Sequence, residues 1–197
     1  MDMDSFLRDP LSRRRFFASS GVSIAGGSAM FLAACGDDGK DTGRVVPTTP
    51  KEADAADVEI LNGALDLELM AIAAYKAGAA TLRGELLQIG KLFIEQEQEH
   101  ADALTTAIKE ARGTPNRAKS SYDFPQLRSE RDALRFAVEL ENTAVAAYID
   151  ALPKLTRNDL RGTASAIVTN EAEHLSVLRG ALGLAPAPQA FVTGEAA

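Results

Sequence analysis

The chain has two histidines, and both end the same four-residue phrase: Glu97-Gln98-Glu99-His100 and Glu171-Ala172-Glu173-His174. Each phrase lies in a stretch whose apolar residues recur three and four apart, the period of a helix with one buried face. The glutamate and the histidine at its ends fall on that face, less than a turn from each other. A fold for this chain must therefore take acids and imidazoles inside. It must also satisfy them there, because an isolated carboxylate is costly to ionise away from water.

The same periodicity predicts four helices, at roughly 54–79, 84–112, 130–151 and 158–180, and no strand-like alternation. The composition agrees, being alanine-rich, free of Trp and only 6% aromatic. Ser129, three residues before Asp132, is a cap for the third helix, and Asn158 is a cap for the fourth. Gly113 and Gly180 are placed to stop the second and fourth.

Short links join the first helix to the second and the third to the fourth, so each pair is an antiparallel hairpin. The middle link, 113–129, contains Pro115 and Pro125. A helix of this length is about 39 Å long at 1.5 Å per residue. The link can reach about 56 Å, enough to cross the bundle from end to end. An all-α four-helix bundle of two hairpins joined by a long crossover is expected.

The hairpins repeat one another. Leu67-Glu68-Leu69-Met70-Ala71-Ile72-Ala73-Ala74-Tyr75 aligns with Leu140-Glu141-Asn142-Thr143-Ala144-Val145-Ala146-Ala147-Tyr148 at an offset of 73 residues, and the Glu-x-x-His phrases align at 74. Glu68 and Glu141 also fall on the apolar stripes of their helices. Six inward donors result: Glu68, Glu97, His100, Glu141, Glu171 and His174. Four carboxylates carry four negative charges, which two divalent cations neutralise while keeping every carboxylate ionised. Oxygen-rich ligation with one imidazole per ion suits iron or manganese, iron ahead of manganese. Tyr75 and Tyr148 share the buried faces and are candidates to hydrogen-bond the carboxylates. Glu99 and Glu173 lie off the stripes and read as solvated.

The N-terminal segment reads as an address. Ser12-Arg13-Arg14-Arg15-Phe16-Phe17 fits a twin-arginine export signal. The stretch to Ala34 is too short and polar for a stable membrane span. It ends in Leu32-Ala33-Ala34-Cys35, similar to a bacterial lipobox, with Cys35 as the lipid-bearing residue. The expected layout is a signal peptide over 1–34, lipidated Cys35 with a flexible tether to 53, a bundle over 54–180 and an extended tail over 181–197. The protein would sit at the extracytoplasmic face of a membrane. A net charge of −7 argues against nucleic acid as a partner. A single cysteine excludes an intramolecular disulfide and a Cys-rich metal site. A homo-oligomer is compatible with this pattern and not specified by it.

Over about 54–180 the chain resembles the ferritin-like superfamily, and more narrowly its exported, twin-arginine-signalled bacterial members. The ligand order Glu, Glu-x-x-His, Glu, Glu-x-x-His is similar to that of bacterioferritins, manganese catalases and acyl-carrier desaturases. The resemblance implies a centre of two Fe or Mn ions acting on Fe(II), O₂ or peroxide. Gln98 stands where bacterioferritin-type haem binding uses Met, so no haem is expected. No rubredoxin-like Cys module is present, and the proline-containing tail does not suggest the fifth helix of cage ferritins. A non-catalytic metal-binding or structural bundle, anchored to the membrane, remains the alternative.

Overall fold

The computed structural model describes residues 50–195; the signal segment, Cys35 and the tether as far as residue 49 lie outside them. Among the described residues there are four helices and no strands: α1 (Pro50–Ala79), α2 (Gly84–Glu110), α3 (Glu130–Ala151) and α4 (Asn158–Ala181). α1 begins four residues earlier than the periodicity implies. Pro50 reads as tether punctuation in the sequence, yet a proline fits the first helical position, where its missing N–H costs nothing. None of these helices is long and apolar enough to cross a membrane.

Ser129 caps α3 as expected, its side chain accepting from the Asp132 N–H at 3.2 Å. Asn158 does not cap α4. It is the first helical residue, the cap position is Arg157, and the Asn158 side chain instead accepts from Arg161. The two stop signals also shift. α2 closes with the Gly113 N–H on the Ile108 carbonyl at 2.8 Å, but the left-handed residue is Arg112, at φ 62°. Gly113 answers to space instead: a Cβ there would lie 2.5 Å from Val58 Cγ1. In α4, Gly180 remains helical and Gly183, at φ 75°, makes the turn.

α1 packs on α2 and α3, and α4 packs on α2 and α3. The crossover runs along α1. Asn62 Nδ2 donates to the Thr114 carbonyl at 3.1 Å, and Asn116 Nδ2 donates to Asp66 at 3.0 Å. Farther on, Leu127 lies against Gly78, and the Arg83 N–H donates to Glu130 at 2.9 Å. The link thus spans the bundle, which makes α2 and α3 run the same way. Asp57, fully buried and not singled out by the sequence pattern, ties α1 to the α3–α4 turn by accepting from the Thr156 N–H and hydroxyl, each at 2.8 Å. Beyond Ala181 the chain makes turns and bends to Glu195. It lies against the bundle, with Gly194 so close to α3 that a Cβ would meet the Asn142 carbonyl at 2.4 Å.

The core has two apolar parts. One contains Leu61, Leu65, Leu104, Ile108, Leu160 and Ile167. The other contains Ala71, Tyr75, Phe93, Leu134, Ala137 and Leu178. Glu68 lies between Leu65 and Ala71 on α1, and Glu97 between Phe93 and Leu104 on α2. Glu171 and His174 lie between Ile167 and Leu178 on α4. The acids therefore occupy a polar layer with an apolar plug on either side.

Candidate metal centre

Each helix contributes to this layer from the buried side of its stripe: Glu68 from α1, Glu97 and His100 from α2, Glu141 from α3, Glu171 and His174 from α4. The four carboxylates and His174 are all at most 1% exposed, and His100 is 12% exposed at its side chain. All six sequence candidates are brought together. They form two overlapping sets of four, Glu68–Glu97–His100–Glu171 and Glu97–Glu141–Glu171–His174, with the donor atoms of each set within 4.8 Å of one another.

The overlap assigns roles that spacing leaves open. Glu97 and Glu171 belong to both sets, whereas Glu68 pairs only with His100 and Glu141 only with His174. Glu171 shows why: its Oε1 lies 3.0 Å from His100 Nδ1 and its Oε2 lies 3.1 Å from His174 Nδ1. One oxygen faces each subsite.

These separations suit ion pairs, yet Glu68 Oε2, Glu97 Oε1, both Glu171 oxygens and both histidine Nδ1 atoms make no aligned hydrogen bond. Buried polar atoms are rarely left so. The atoms are close without being aligned on each other, the arrangement expected of ligands that share a central ion. Metal–ligand bonds of about 2.0–2.2 Å place opposed donors about 4.3 Å apart, so the donor spread and the donor chemistry both fit two divalent ions.

Tyr75 donates to Glu141 and Tyr148 donates to Glu68. Both tyrosines thus find carboxylates, but on the opposite hairpin. Seven residues forward on α1, from Glu68 to Tyr75, match seven residues back on α3, from Tyr148 to Glu141, so α1 and α3 are antiparallel. Seven residues rise about 10.5 Å, which is how each phenol reaches past its own helix to its neighbour's acid. Burial first, and the adjacent carboxylate second, hold both phenols well above their ordinary pKa, so they remain donors.

Charge is balanced within the layer. Burial pushes the Glu68 carboxyl up to about 8 and holds Glu141 well above the usual carboxylate range. Burial also acts upward on Glu97 and Glu171, but contact with His100 and His174 outweighs it, leaving Glu97 below its ordinary value and Glu171 at about 2. Burial opposes protonation of the imidazoles, and the carboxylates around them overcome it, raising His100 to about 12 and His174 to about 11. At neutral pH the protein atoms alone therefore hold two imidazolium ions against ionised Glu97 and Glu171, with Glu68 and Glu141 protonated.

Sequence reasoning missed Gln96. Its Oε1 lies 2.9 Å from His174 Nε2, on the side of the ring away from the acids. Three residues after Phe93 and four before His100, it sits at the edge of the buried stripe, and that spacing was its only signal. Phe93, part of the apolar core, stacks on His174 with ring centroids 3.9 Å apart. Glu99, Glu173 and Asp102 are exposed, the first two as their off-stripe positions imply.

Solved structures share this architecture. A conserved hypothetical protein from Mycobacterium tuberculosis aligns with a TM-score of 0.62 and 24% identity, over 64% of this chain and 97% of its own. A ferritin-like, diiron-carboxylate protein from Bacillus anthracis aligns with a TM-score of 0.58 and 27% identity, over 66% and 97%. The bacterioferritin of Desulfovibrio desulfuricans, a protein with a diiron site, aligns with a TM-score of 0.61 and 22% identity, over 75% and 95%. No curated protein matches. The model of the ferritin-like domain matches residues 56–184, taking in most of α1 and all of α2, α3 and α4. With that span and this bundle, the chain belongs to the ferritin-like domain family.

Proposed function

We propose that the polar layer holds two divalent metal ions, iron ahead of manganese, and that the protein is an oxidoreductase acting on Fe(II), O₂ or peroxide at the cell envelope. The observation that carries this reading is the convergence of five buried residues and half-buried His100 into two overlapping sets of donors, most of whose buried ligand atoms have no hydrogen-bond partner. Two such ions, when bound, would supply the redox chemistry for O₂ or peroxide. The chain's own residues do the rest. Glu97 and Glu171 would contribute to both ions, Glu68 with His100 and Glu141 with His174 would complete the subsites, and Tyr148 and Tyr75 hold the outer carboxylates by hydrogen bonds. The apolar plugs shield the layer along the bundle axis, and His100 alone of the six reaches the surface. A diiron-carboxylate relative supports iron, and Gln98, exposed on α2, supports the absence of haem.

Stopped-flow mixing of the Fe(II)-loaded protein with O₂ or peroxide tests the reading. Oxidant consumption well above that of a Glu97→Ala, Glu171→Ala double variant is expected. If the wild type matches the double variant while retaining metal, the protein is a metal-binding bundle without turnover. Export and anchoring rest on the Arg13-Arg14 signal and Cys35. Labelled palmitate should enter the wild type in a bacterial host and not Cys35→Ser; equal labelling refutes the anchor.

A further inference from the structure

The repeat makes the two hairpins nearly equivalent, and the structure breaks that equivalence at the histidines. An offset of 74 residues pairs His100 with His174, Gln96 with Asn170 and Phe93 with Ile167. His174 is 1% exposed, is stacked on Phe93 and is engaged at Nε2 by Gln96. None of this recurs around His100. Asn170, one methylene shorter than glutamine, points to Glu173 at 3.4 Å, and Ile167 has no ring to stack. Among the described residues no side chain hydrogen-bonds His100 Nε2, and the residue reaches the surface.

A ring nitrogen that faces an amide oxygen keeps its proton, so the other nitrogen is the one that gives up its proton and presents a lone pair on ligation. Gln96 Oε1 can only accept, which sets His174 Nε2 as the N–H and directs His174 Nδ1 toward Glu97, Glu141 and Glu171. The amide imposes this tautomer without adding charge to a layer that already has four acids. A ring fixed in position and tautomer loses little freedom on ligation; a ring at the surface loses more, and exchanges more easily with water.

We infer that the two metal subsites are unequal by construction: Glu141–His174 is the preorganised subsite that fills first, Glu68–His100 is the exchangeable one, and Gln96 is the positioning residue that sets the difference. This rests on the reading of the layer as a two-metal centre.

Co(II) titration of the metal-free full-length protein, followed by calorimetry and by the visible Co(II) bands, tests it. The wild type should bind two Co(II) in two steps at least about tenfold apart. His174→Ala should abolish the spectrum of the first adduct, and His100→Ala should leave that spectrum in place while removing the second step. Gln96→Leu should weaken the first step about 10- to 100-fold, the usual cost of losing a partner behind a ligating histidine. Gln96→Glu, which keeps an acceptor at Nε2, should restore it, whereas loss of packing alone would not be rescued. Asn170→Ala should leave both steps unchanged. Two equal wild-type steps, or a first step unmoved by Gln96→Leu, overturns the inference while two-metal binding stands. No Co(II) uptake by the wild type overturns the two-metal reading and this inference together.

Discussion

Glu171→Ala is expected to take the metal content from two ions per chain to less than one, whereas Glu68→Ala takes it from two to about one. The difference follows from where the carboxylate oxygens sit. Glu171 places Oε1 and Oε2 beside different histidines, at 3.0 and 3.1 Å, so its loss strips a ligand from both subsites. Glu68 belongs to one set only. Elemental analysis after reconstitution and dialysis reads both results. Removing the carboxylate also leaves Glu97 as the only counter-charge shared by His100 and His174, and breaking a buried pair on one side costs about 3–5 kcal/mol. Glu171→Gln keeps the volume and hydrogen-bonding capacity, so it separates ligand loss from unfolding; it too should bind less than one ion. If Glu171→Gln retained both ions, or Glu68→Ala lost both, the carboxylates would not be shared as the two sets imply.

Much of this centre is legible in the sequence because helices turn spacing into direction. Glu68, Glu97, Glu141 and Glu171 each take the place of an apolar residue in a periodic stripe, and a stripe can face only the core. The tyrosines show where that reasoning stops. Tyr75 and Tyr148 share the stripes of Glu68 and Glu141, so a hydrogen bond to some carboxylate is foreseeable. Which carboxylate depends on the antiparallel register of α1 against α3, an interhelical quantity that periodicity on one helix does not contain. Gln96 fails to stand out for a related reason: its partner His174 is on a different helix, 78 residues away. The helix ends differ again. Gly113 and Gly180 look like stop signals, but Arg112 adopts the left-handed conformation and Gly113 is small because Val58 crowds it. Local composition marked the neighbourhood of the turn, and tertiary packing chose the residue.

Loading the centre with two divalent ions is expected to release about four protons near pH 7. The metal-free layer holds a proton on each of His100 and His174, raised to about 12 and about 11, and on Glu68 and Glu141, raised to about 8 and well above the carboxylate range. Ligation needs neutral imidazoles and ionised carboxylates, so all four must leave. The same six residues at ordinary pKa values would release only about half a proton, almost all from the histidines near 6.5. Titration of the two ions in weakly buffered solution with a pH indicator separates these cases. The sign of the pH dependence follows, since protons are products and affinity rises with pH. The overall two-ion constant should climb by about four powers of ten per pH unit between pH 5 and about 8, then less steeply as Glu68 gives up its proton unaided. Stability of the metal-free protein should run the opposite way. Glu68, Glu141 and both histidines bind protons more tightly folded than unfolded: the carboxyl contribution is full below about pH 4.5 and that of Glu68 is gone by about pH 8, while the histidine contribution is full below about pH 6.5 and declines steadily above it. Thermal unfolding at pH 5.5 and 7.5 should therefore show Tm falling with pH for the metal-free protein and rising for the loaded one. Release of fewer than two protons, or the same pH slope in both forms, would mean that the acids and imidazoles of this layer do not share charge in the folded protein as their geometry requires.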